Sequence, residues 1–202
     1  MSTRLSAICA LIPQCGLLLD VGCDHGKLAE YAASSGLCGR VIASDVSPGS
    51  LQKAEKRLAR YANAETRLGW GLRVLRPEED PDVIVIAGMG GCLIIDILRG
   101  YTGGAKLILG AQKDAYRLRT FLSETGYRIG EDFTVEDRGK FYDVIGAERG
   151  RCRPDEMQKK FGVFYKRPNP ALLARCRFDL ARLAGTPNDV KDIEEVIKWQ
   201  LR

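Results

Sequence analysis

The sequence lacks the histidines and the paired cysteines that are typical of metal centres. Its 202 residues contain one histidine and 7 cysteines, and no two cysteines form a C-x-x-C motif. The single histidine leaves little beyond thiolates for a zinc site, and the cysteines lack the paired spacing of one. An odd number of cysteines argues against a disulfide framework, and a chain of this length buries about 70% of its unfolded surface without one. We therefore expect free thiols, no metal ion and a reducing, cytoplasmic location.

Long hydrophobic runs are also lacking. No apolar stretch approaches the roughly 20 residues that are required to span a bilayer. The first twelve residues carry one basic side chain, Arg4, and no cleavage signature. We expect a soluble protein with no targeting segment and no membrane partner.

The net positive charge of the chain lies at its end. Residues 1–150 contain equal numbers of basic and acidic side chains, so the formal net charge of +5 comes entirely from residues 151–202. A neutral body with a basic appendage is typical of proteins that bind a polyanion. An ordinary solvated face is the alternative interpretation.

Short apolar runs alternate with helical patterns along the first 125 residues. Leu17–Val21 is almost continuously apolar, which is typical of a strand buried on both faces of a parallel sheet. Ser47 as N-cap and Pro48 at the first helical position predict the start of a helix. The other predicted strands are Val41–Ala43, Glu65–Leu68, Val83–Ile86 and Lys106–Leu109. This alternation predicts a doubly wound α/β sheet.

The pattern changes after the fifth strand. Tyr127–Glu136 and Phe141–Glu148 alternate apolar and polar residues around a short turn, which predicts an antiparallel hairpin. Parallel units closed by a hairpin are expected of a class I (Rossmann-like) methyltransferase sheet, whereas a dinucleotide-binding domain is all parallel. We therefore predict a methyltransferase domain over residues 1–150.

Residues 151–202 are predicted to form a basic linker and a short helical appendage. Asn169 followed by Pro170 predicts the start of one helix, which Gly185 would end, and Thr186 would cap a second. The two helices either fold back as a helical hairpin or merely pad the sheet.

The turn after the first strand carries acidic side chains between its glycines. A nicotinamide fingerprint that begins at Gly22 would require glycine where Asp24 and Lys27 stand, so a dehydrogenase is disfavoured. The carboxylates of Asp20 and Asp24 would repel a pyrophosphate but suit the ammonium and sulfonium charges of S-adenosylmethionine. The turn therefore predicts a cationic ligand.

Asp45 ends the second strand, about 20 residues beyond the glycine turn. An acidic side chain at this place accepts hydrogen bonds from a ribose diol. Taken alone, Asp45 could equally cap the next helix. Together with the turn, it predicts recognition of a ribose.

The sequence resembles the bacterial tRNA (adenine-22-N1)-methyltransferases, the TrmK family. Three segments carry the resemblance: Leu19–His25, Asp82–Gly91 and Lys140–Ile145. The resemblance implies a Rossmann-like methyltransferase fold, S-adenosylmethionine as cofactor and methylation of N1 of adenine 22 in tRNA. It also implies that the basic tail is a shortened form of the coiled-coil domain of the family.

Two positions depart from the family pattern. Trp70 stands where the family usually has an aspartate that accepts from the adenine amino group of the cofactor, although an indole could stack on that base. After the fifth strand, a Gln-Pro-Asn stretch is replaced by residues that end at Gln112. These changes allow a diverged substrate. The residues expected to bind the cofactor are Asp20, Gly22, Asp24, Asp45, Trp70 and Ala87.

The small residues after the fourth strand are the expected seat of the acceptor base. Adenine N1 is neutral and carries its own lone pair, so methylation requires alignment more than proton removal. A tight strand-to-helix turn would explain the same glycines, and a structural role is an alternative for the histidine. The residues expected to be catalytic are Asp24, His25, Gly88, Met89, Gly90 and Gly91.

Four cations of the tail are expected to contact tRNA phosphates: Lys159, Lys160, Lys166 and Arg167. Three nearby rings, Phe161, Phe164 and Tyr165, are expected to anchor the tail, whereas the charges have no obvious use inside the chain. We expect a monomer. The alternative functions are methylation of a small molecule or a protein, and RNA binding without catalysis.

Overall fold

The computed structural model describes residues 1–182 and 187–202. Seven strands form one sheet, and each parallel strand is joined to the next by a helical segment. The strands are β1 (Cys15–Val21), β2 (Cys38–Asp45), β3 (Ala64–Leu68), β4 (Val83–Met89), β5 (Lys106–Ala111), β6 (Tyr127–Asp137) and β7 (Lys140–Arg149). The described helices are α1 (Thr3–Cys9), α2 (Lys27–Ser34), α3 (Pro48–Leu58), α4 (Gly91–Leu98), α5 (Ala115–Glu124), α6 (Glu156–Phe161), α7 (Pro170–Arg182) and α8 (Pro187–Gln200), with a 3-10 turn at Gly71–Val74.

The sheet order is β3-β2-β1-β4-β5-β7-β6. The first five strands are parallel, and β7 joins β5 in the antiparallel direction. The β6–β7 turn holds Arg138 and Gly139 at φ 53° and 70°, the left-handed pair that a tight hairpin turn requires. The predicted class I sheet and its closing hairpin are confirmed.

Two apolar layers cover the sheet. One packs α1, α2 and α3 against residues such as Leu18, Val41 and Val85, and the other packs α4 and α5 against residues such as Leu19 and Ile84. Neighbouring residues of β1 thus pack into opposite apolar layers, which explains why the sequence of this strand is almost continuously apolar.

The strands are longer than predicted. β4 continues past Ile86 to Met89, with a register irregularity against β5 between Ala87 and Met89. The start of α3 is as predicted, because the Ser47 hydroxyl accepts from the Ser50 N–H. The sequence did not identify α6, which begins with a capping box between Asp155 and Gln158.

The described C-terminal helices pack on one another and on the sheet. Leu172 and Cys176 of α7 share an apolar cluster with Ile193 and Val196 of α8. The Asn169 carboxamide accepts from the Leu172 N–H, which confirms the predicted start of α7. The predicted helix end at Gly185 and the cap at Thr186 lie outside the described residues. The domain boundary at residue 150 stays a prediction.

A buried ion network joins the tail to the sheet. Arg119 of α5 donates to Asp132 and to Asp143, each at 2.8 Å, and all three side chains are almost completely buried. Arg175 of α7 donates to the second oxygen of Asp143 at 2.9 Å. Breaking such a buried network is costly, since it leaves a charge without a partner.

Candidate active site

A cavity of about 370 Å³ opens at the carboxyl ends of β1, β2 and β4. Ligands of open α/β sheets bind at this edge. All six residues that were expected to bind the cofactor line the cavity, and so do four of the six that were expected to be catalytic, Asp24, His25, Gly88 and Met89.

Asp20 contributes a buried carboxyl group to the cavity. Its Oδ2 atom has no hydrogen-bond partner among residues 1–182 and 187–202. Burial raises the pKa of this carboxyl to about 7, and the nearby charge of Asp45 acts in the same direction. A backbone hydrogen bond with Ala29 lowers the pKa and offsets part of this rise. A buried carboxyl that lines a cavity with one oxygen free of partners is suited to a cationic group of a ligand.

Gly22 is favoured by its left-handed backbone conformation, with a φ of +70°. A Cβ there would also lie 2.1 Å from the Cε atom of Met89, the mobile end of a flexible side chain. The N–H groups of Gly22 and Cys23 both donate to the Ser44 carbonyl, which fixes the turn against β2. The turn therefore keeps its backbone open to a ligand, and a residue with a Cβ at Gly22 would be strained.

Asp45 holds two loops together. Its Oδ2 accepts from the Asp24 N–H at 2.9 Å, and its Oδ1 accepts from the Ser47 N–H at 2.8 Å. Because the N-cap of α3 is Ser47, Asp45 does not itself cap that helix. Its carboxylate has further lone pairs with which to accept from a ligand hydroxyl.

Asp24 and His25 lie on the rim of the cavity. Asp24 adopts a left-handed conformation with φ 50°, and its side chain is 72% exposed. The Nε2 atom of His25 lies 3.0 Å from the Lys53 Nζ and 3.5 Å from an Asp24 carboxylate oxygen. Since an ammonium group only donates, Nε2 accepts from Lys53 in this arrangement.

Trp70 lies at the mouth of the cavity, just before the 3-10 turn. Its side chain is 40% exposed, and the Arg73 guanidinium lies 5.5 Å from the ring centroid. Val46 and Leu93 are other exposed apolar side chains that line the cavity. The mouth therefore presents flat apolar surface on which a base can stack.

Gly90 and Gly91 do not line the cavity. A Cβ at Gly91 would lie 2.5 Å from the Asp114 carbonyl oxygen, and the Gly91 N–H donates to the Lys113 carbonyl. A Cβ at Gly90 would lie 3.0 Å from the side chain of Lys113. Gly91 therefore has the structural role in a tight strand-to-helix turn, between β4 and α4, that was the alternative to contact with the acceptor base. The expected contact of Gly90 and Gly91 with that base stays a prediction.

The sequence did not identify Arg4 as a site residue. Arg4 belongs to α1, yet its side chain reaches the cavity beside Gly88. The apolar side chains of Leu5 and Leu28 complete this wall. No motif marks Arg4, because only the packing of α1 over the sheet brings it to the site.

The four tail cations have partners within the chain. Lys159 donates to Glu156 at 2.8 Å, and Lys160 donates to Asp192 at 2.6 Å. The expectation that these charges have no use inside the chain is therefore wrong for both lysines. Lys166 lies 4.9 Å from the Trp199 ring centroid, and Arg167 lies 4.0 Å from that of Phe164.

Anchoring by the tail rings is seen for two of the three. Tyr165 is 5% exposed, and Phe161 packs against the same apolar cluster between α7 and α8.

Within the part of the chain that the structure describes, no helix has the length and apolar character that a membrane span requires. Nor do three or more His, Cys, Asp or Glu side chains in that part come together in a group that could hold a metal ion.

The sheet order, the single strand reversal and the acidic glycine turn define a class I methyltransferase with S-adenosylmethionine as its cofactor. Residues 1–145 match a family model described as a methyltransferase domain. The tRNA (adenine(22)-N(1))-methyltransferase of Bacillus subtilis (strain 168) is 32% identical over 157 residues, which cover 74% of this chain and 66% of that protein. The chain thus spans just under two thirds of the length of this relative.

Two solved structures are similar over almost the whole chain. Streptococcus pneumoniae Sp1610 in complex with S-adenosyl-L-methionine has a TM-score of 0.91 and 28% identity, and the match covers 98% of this chain and 99% of that chain. The B. subtilis m1A22 tRNA methyltransferase TrmK has a TM-score of 0.81 and 27% identity, with 100% and 96% covered. The chain belongs to the methyltransferase-domain family and, within it, to the TrmK-like family.

Proposed function

We propose that this protein transfers a methyl group from S-adenosylmethionine to N1 of an adenine in tRNA, with adenine 22 as the expected position. The observation that carries the proposal is the buried carboxyl of Asp20, whose Oδ2 has no partner among the described residues, in a cavity that combines the glycine turn with the small residues after β4. The name of the B. subtilis relative supplies the acceptor.

The residues of the cavity fit the parts of the cofactor. Asp20 is suited to the ammonium group, since its free Oδ2 has no other partner among the described residues. Asp45 is suited to the ribose diol, and the exposed face of Trp70 to the adenine ring. When bound, the cofactor supplies an electrophilic methyl group on a sulfonium sulfur.

The chain contributes alignment to the reaction. The N1 lone pair attacks the methyl carbon while the sulfur bond breaks, so the positive charge moves from sulfur to the adenine ring and no proton needs to leave. A base that enters past Gly88 and Met89 would place its ring near the exposed carboxylate of Asp24. A carboxylate there stabilises the charge that develops on the ring. Asp24 is held by the Ser50 hydroxyl, which donates to its Oδ1 at 3.4 Å, and by the bond of its own N–H to Asp45.

The tail is proposed to bind the body of the RNA. Residues 151–202 carry the whole net charge of the chain, and Lys166 and Arg167 have aromatic but no acidic partners among the described residues. Both side chains are exposed, and an exposed cation–ring contact is worth only about 0.5 to 1 kcal/mol, so a phosphate contact can replace it.

Mass analysis of nucleosides tests the proposal. Bulk tRNA is incubated with the protein and isotopically labelled S-adenosylmethionine, and labelled 1-methyladenosine is the expected product. An Asp20→Asn variant serves as the control for cofactor-dependent transfer. Cofactor binding without any labelled nucleoside would refute the tRNA acceptor and favour a small molecule, a protein or RNA binding without catalysis.

A further inference from the structure

Arg4 is a half-buried cation that has no acidic partner. Its guanidinium lies 4.8 Å from the centroid of the Tyr142 ring. The guanidinium also adjoins Gly88, where a Cβ would lie 3.3 Å from Nη1 and 3.8 Å from Nη2. The ring and the glycine thus fix the position of the guanidinium in the wall of the cofactor cavity.

The hydrogen-bonding capacity of Arg4 is unused within residues 1–182 and 187–202. Its Nε atom is shielded from water and has no hydrogen-bond partner there. By contrast, two arginines of low exposure have carboxylate partners: Arg119 with Asp132 and Asp143, and Arg67 with Glu65 and Glu79. A guanidinium carries five donors in a planar fork that matches an oxyanion, so the donors of Arg4 are suited to a ligand.

The charges of the cavity show which anion fits. The acidic side chains Asp20, Asp24 and Asp45 match the cationic and hydroxyl groups of S-adenosylmethionine but none of them accommodates its carboxylate. The lining residues with a permanent positive charge are Arg4 and Lys27, and Lys27 is exposed at the start of α2. We propose that Arg4 binds the carboxylate of the cofactor's methionine moiety. This inference rests on the cofactor part of the proposed function and is independent of the acceptor.

The proposal gives α1 a role in the site. Arg4 and Asp20 would bind the two charged groups on the α-carbon of the methionine moiety from α1 and β1. Opposite charges matched in this way fix the orientation of the methionine arm and, through it, the direction of the methyl group. Loss of Arg4 would thus weaken cofactor binding and slow transfer with bound cofactor.

A pair of ligands that differ by one group tests the proposal. S-Adenosylmethionine and its decarboxylated analogue are titrated into the protein without RNA, and Arg4→Gln is compared with the wild type. We expect Arg4→Gln to lose about 10- to 100-fold in affinity for S-adenosylmethionine, the range for a charge-assisted hydrogen-bonded pair, and less than threefold for the decarboxylated analogue. Arg182→Gln removes a cation that also lies over a ring, Phe178, away from the cavity, and should change neither affinity.

Two further variants distinguish loss of the carboxylate contact from a general loss of folding. Arg4→Lys keeps the charge without the fork and should recover part of the preference for the carboxylated ligand. Tyr142→Leu keeps Arg4 but removes its ring support, and should cause a smaller loss of the same selective kind. Equal losses for both ligands, or no loss for either, would overturn the proposal. A raised KM for tRNA with unchanged cofactor affinity would instead assign Arg4 to an acceptor phosphate and overturn it as well.

Discussion

The carboxylate of Asp45 accepts the backbone N–H of Asp24 at 2.9 Å and so ties the end of β2 to the glycine turn of β1. Both residues line the cofactor cavity, and Asp24 has the left-handed φ of 50° that such a contact holds in place. One side chain thus has two tasks, since it shapes the turn and is proposed to receive the ribose. Substitutions can separate these tasks.

Asp45→Ala should weaken S-adenosylmethionine binding by about 1.5 to 3 kcal/mol, because the charge-assisted contact to the ribose diol is lost. Asp45→Asn keeps one carbonyl acceptor for the Asp24 N–H and should lose less. Titration calorimetry on both variants measures the difference. Unchanged affinity in Asp45→Ala would exclude ribose recognition by this residue.

Cofactor binding should depend on pH through Asp20. Burial raises the pKa of this carboxyl to about 7 in the free protein, and a cofactor ammonium group beside it would lower that pKa. Because binding then releases a proton, affinity should rise as the pH increases through 7 and fall as the pH decreases below it. Calorimetric titrations between pH 6 and pH 8, in buffers of different ionisation enthalpy, measure both the affinity and the released proton.

Asp20→Asn is the matched control for that titration. The variant should bind the cofactor weakly and with no pH dependence over the same range. The free variant should also be more stable than the wild type at pH 8, by about 1 to 4 kcal/mol, because it no longer buries an ionised group. A pH dependence that persists in Asp20→Asn would assign the titration to another group.

The glycines after β4 allow a comparison of two adjacent positions. Gly91→Ala should destabilise the protein by about 1 to 3 kcal/mol, since its Cβ would lie 2.5 Å from a backbone carbonyl that cannot move away cheaply. Gly90→Ala should cost much less, because its Cβ would meet only the flexible side chain of Lys113. Denaturant unfolding of both variants checks this order, and equal stabilities would contradict the packing role of Gly91.

The sequence predicted the features that depend on local pattern. The apolar run of β1, the cap at Ser47 and the alternation in β6 and β7 each arise from residues that are neighbours in the chain, so the sheet and its hairpin could be inferred. Contacts between distant segments could not. Arg4 reaches the cavity only because α1 packs across the sheet, and Lys160 meets Asp192 only because α6 lies beside α8.

The tail cations separate into two pairs with different expected effects. Lys159 and Lys160 are held by carboxylates, whereas Lys166 and Arg167 contact rings. A phosphate would have to displace an ion pair from the first two but only a ring contact from the second two. Lys166→Gln with Arg167→Gln should therefore weaken tRNA binding, and each lost phosphate contact should reduce the log-log salt slope by about 0.7 to 0.9.

Lys159→Gln with Lys160→Gln is the matched control, because it removes the same charge from the same segment. It should lower the stability of the α6–α8 contact but change the salt slope of tRNA binding less than the first pair does. Cofactor affinity should be unchanged in both, since none of the four residues lines the cofactor cavity. Filter-binding titrations of tRNA at salt concentrations of about 50 to 200 mM provide the comparison. An unaltered slope in both double variants would show that the methyltransferase body alone holds the RNA and that the basic tail is an ordinary solvated surface.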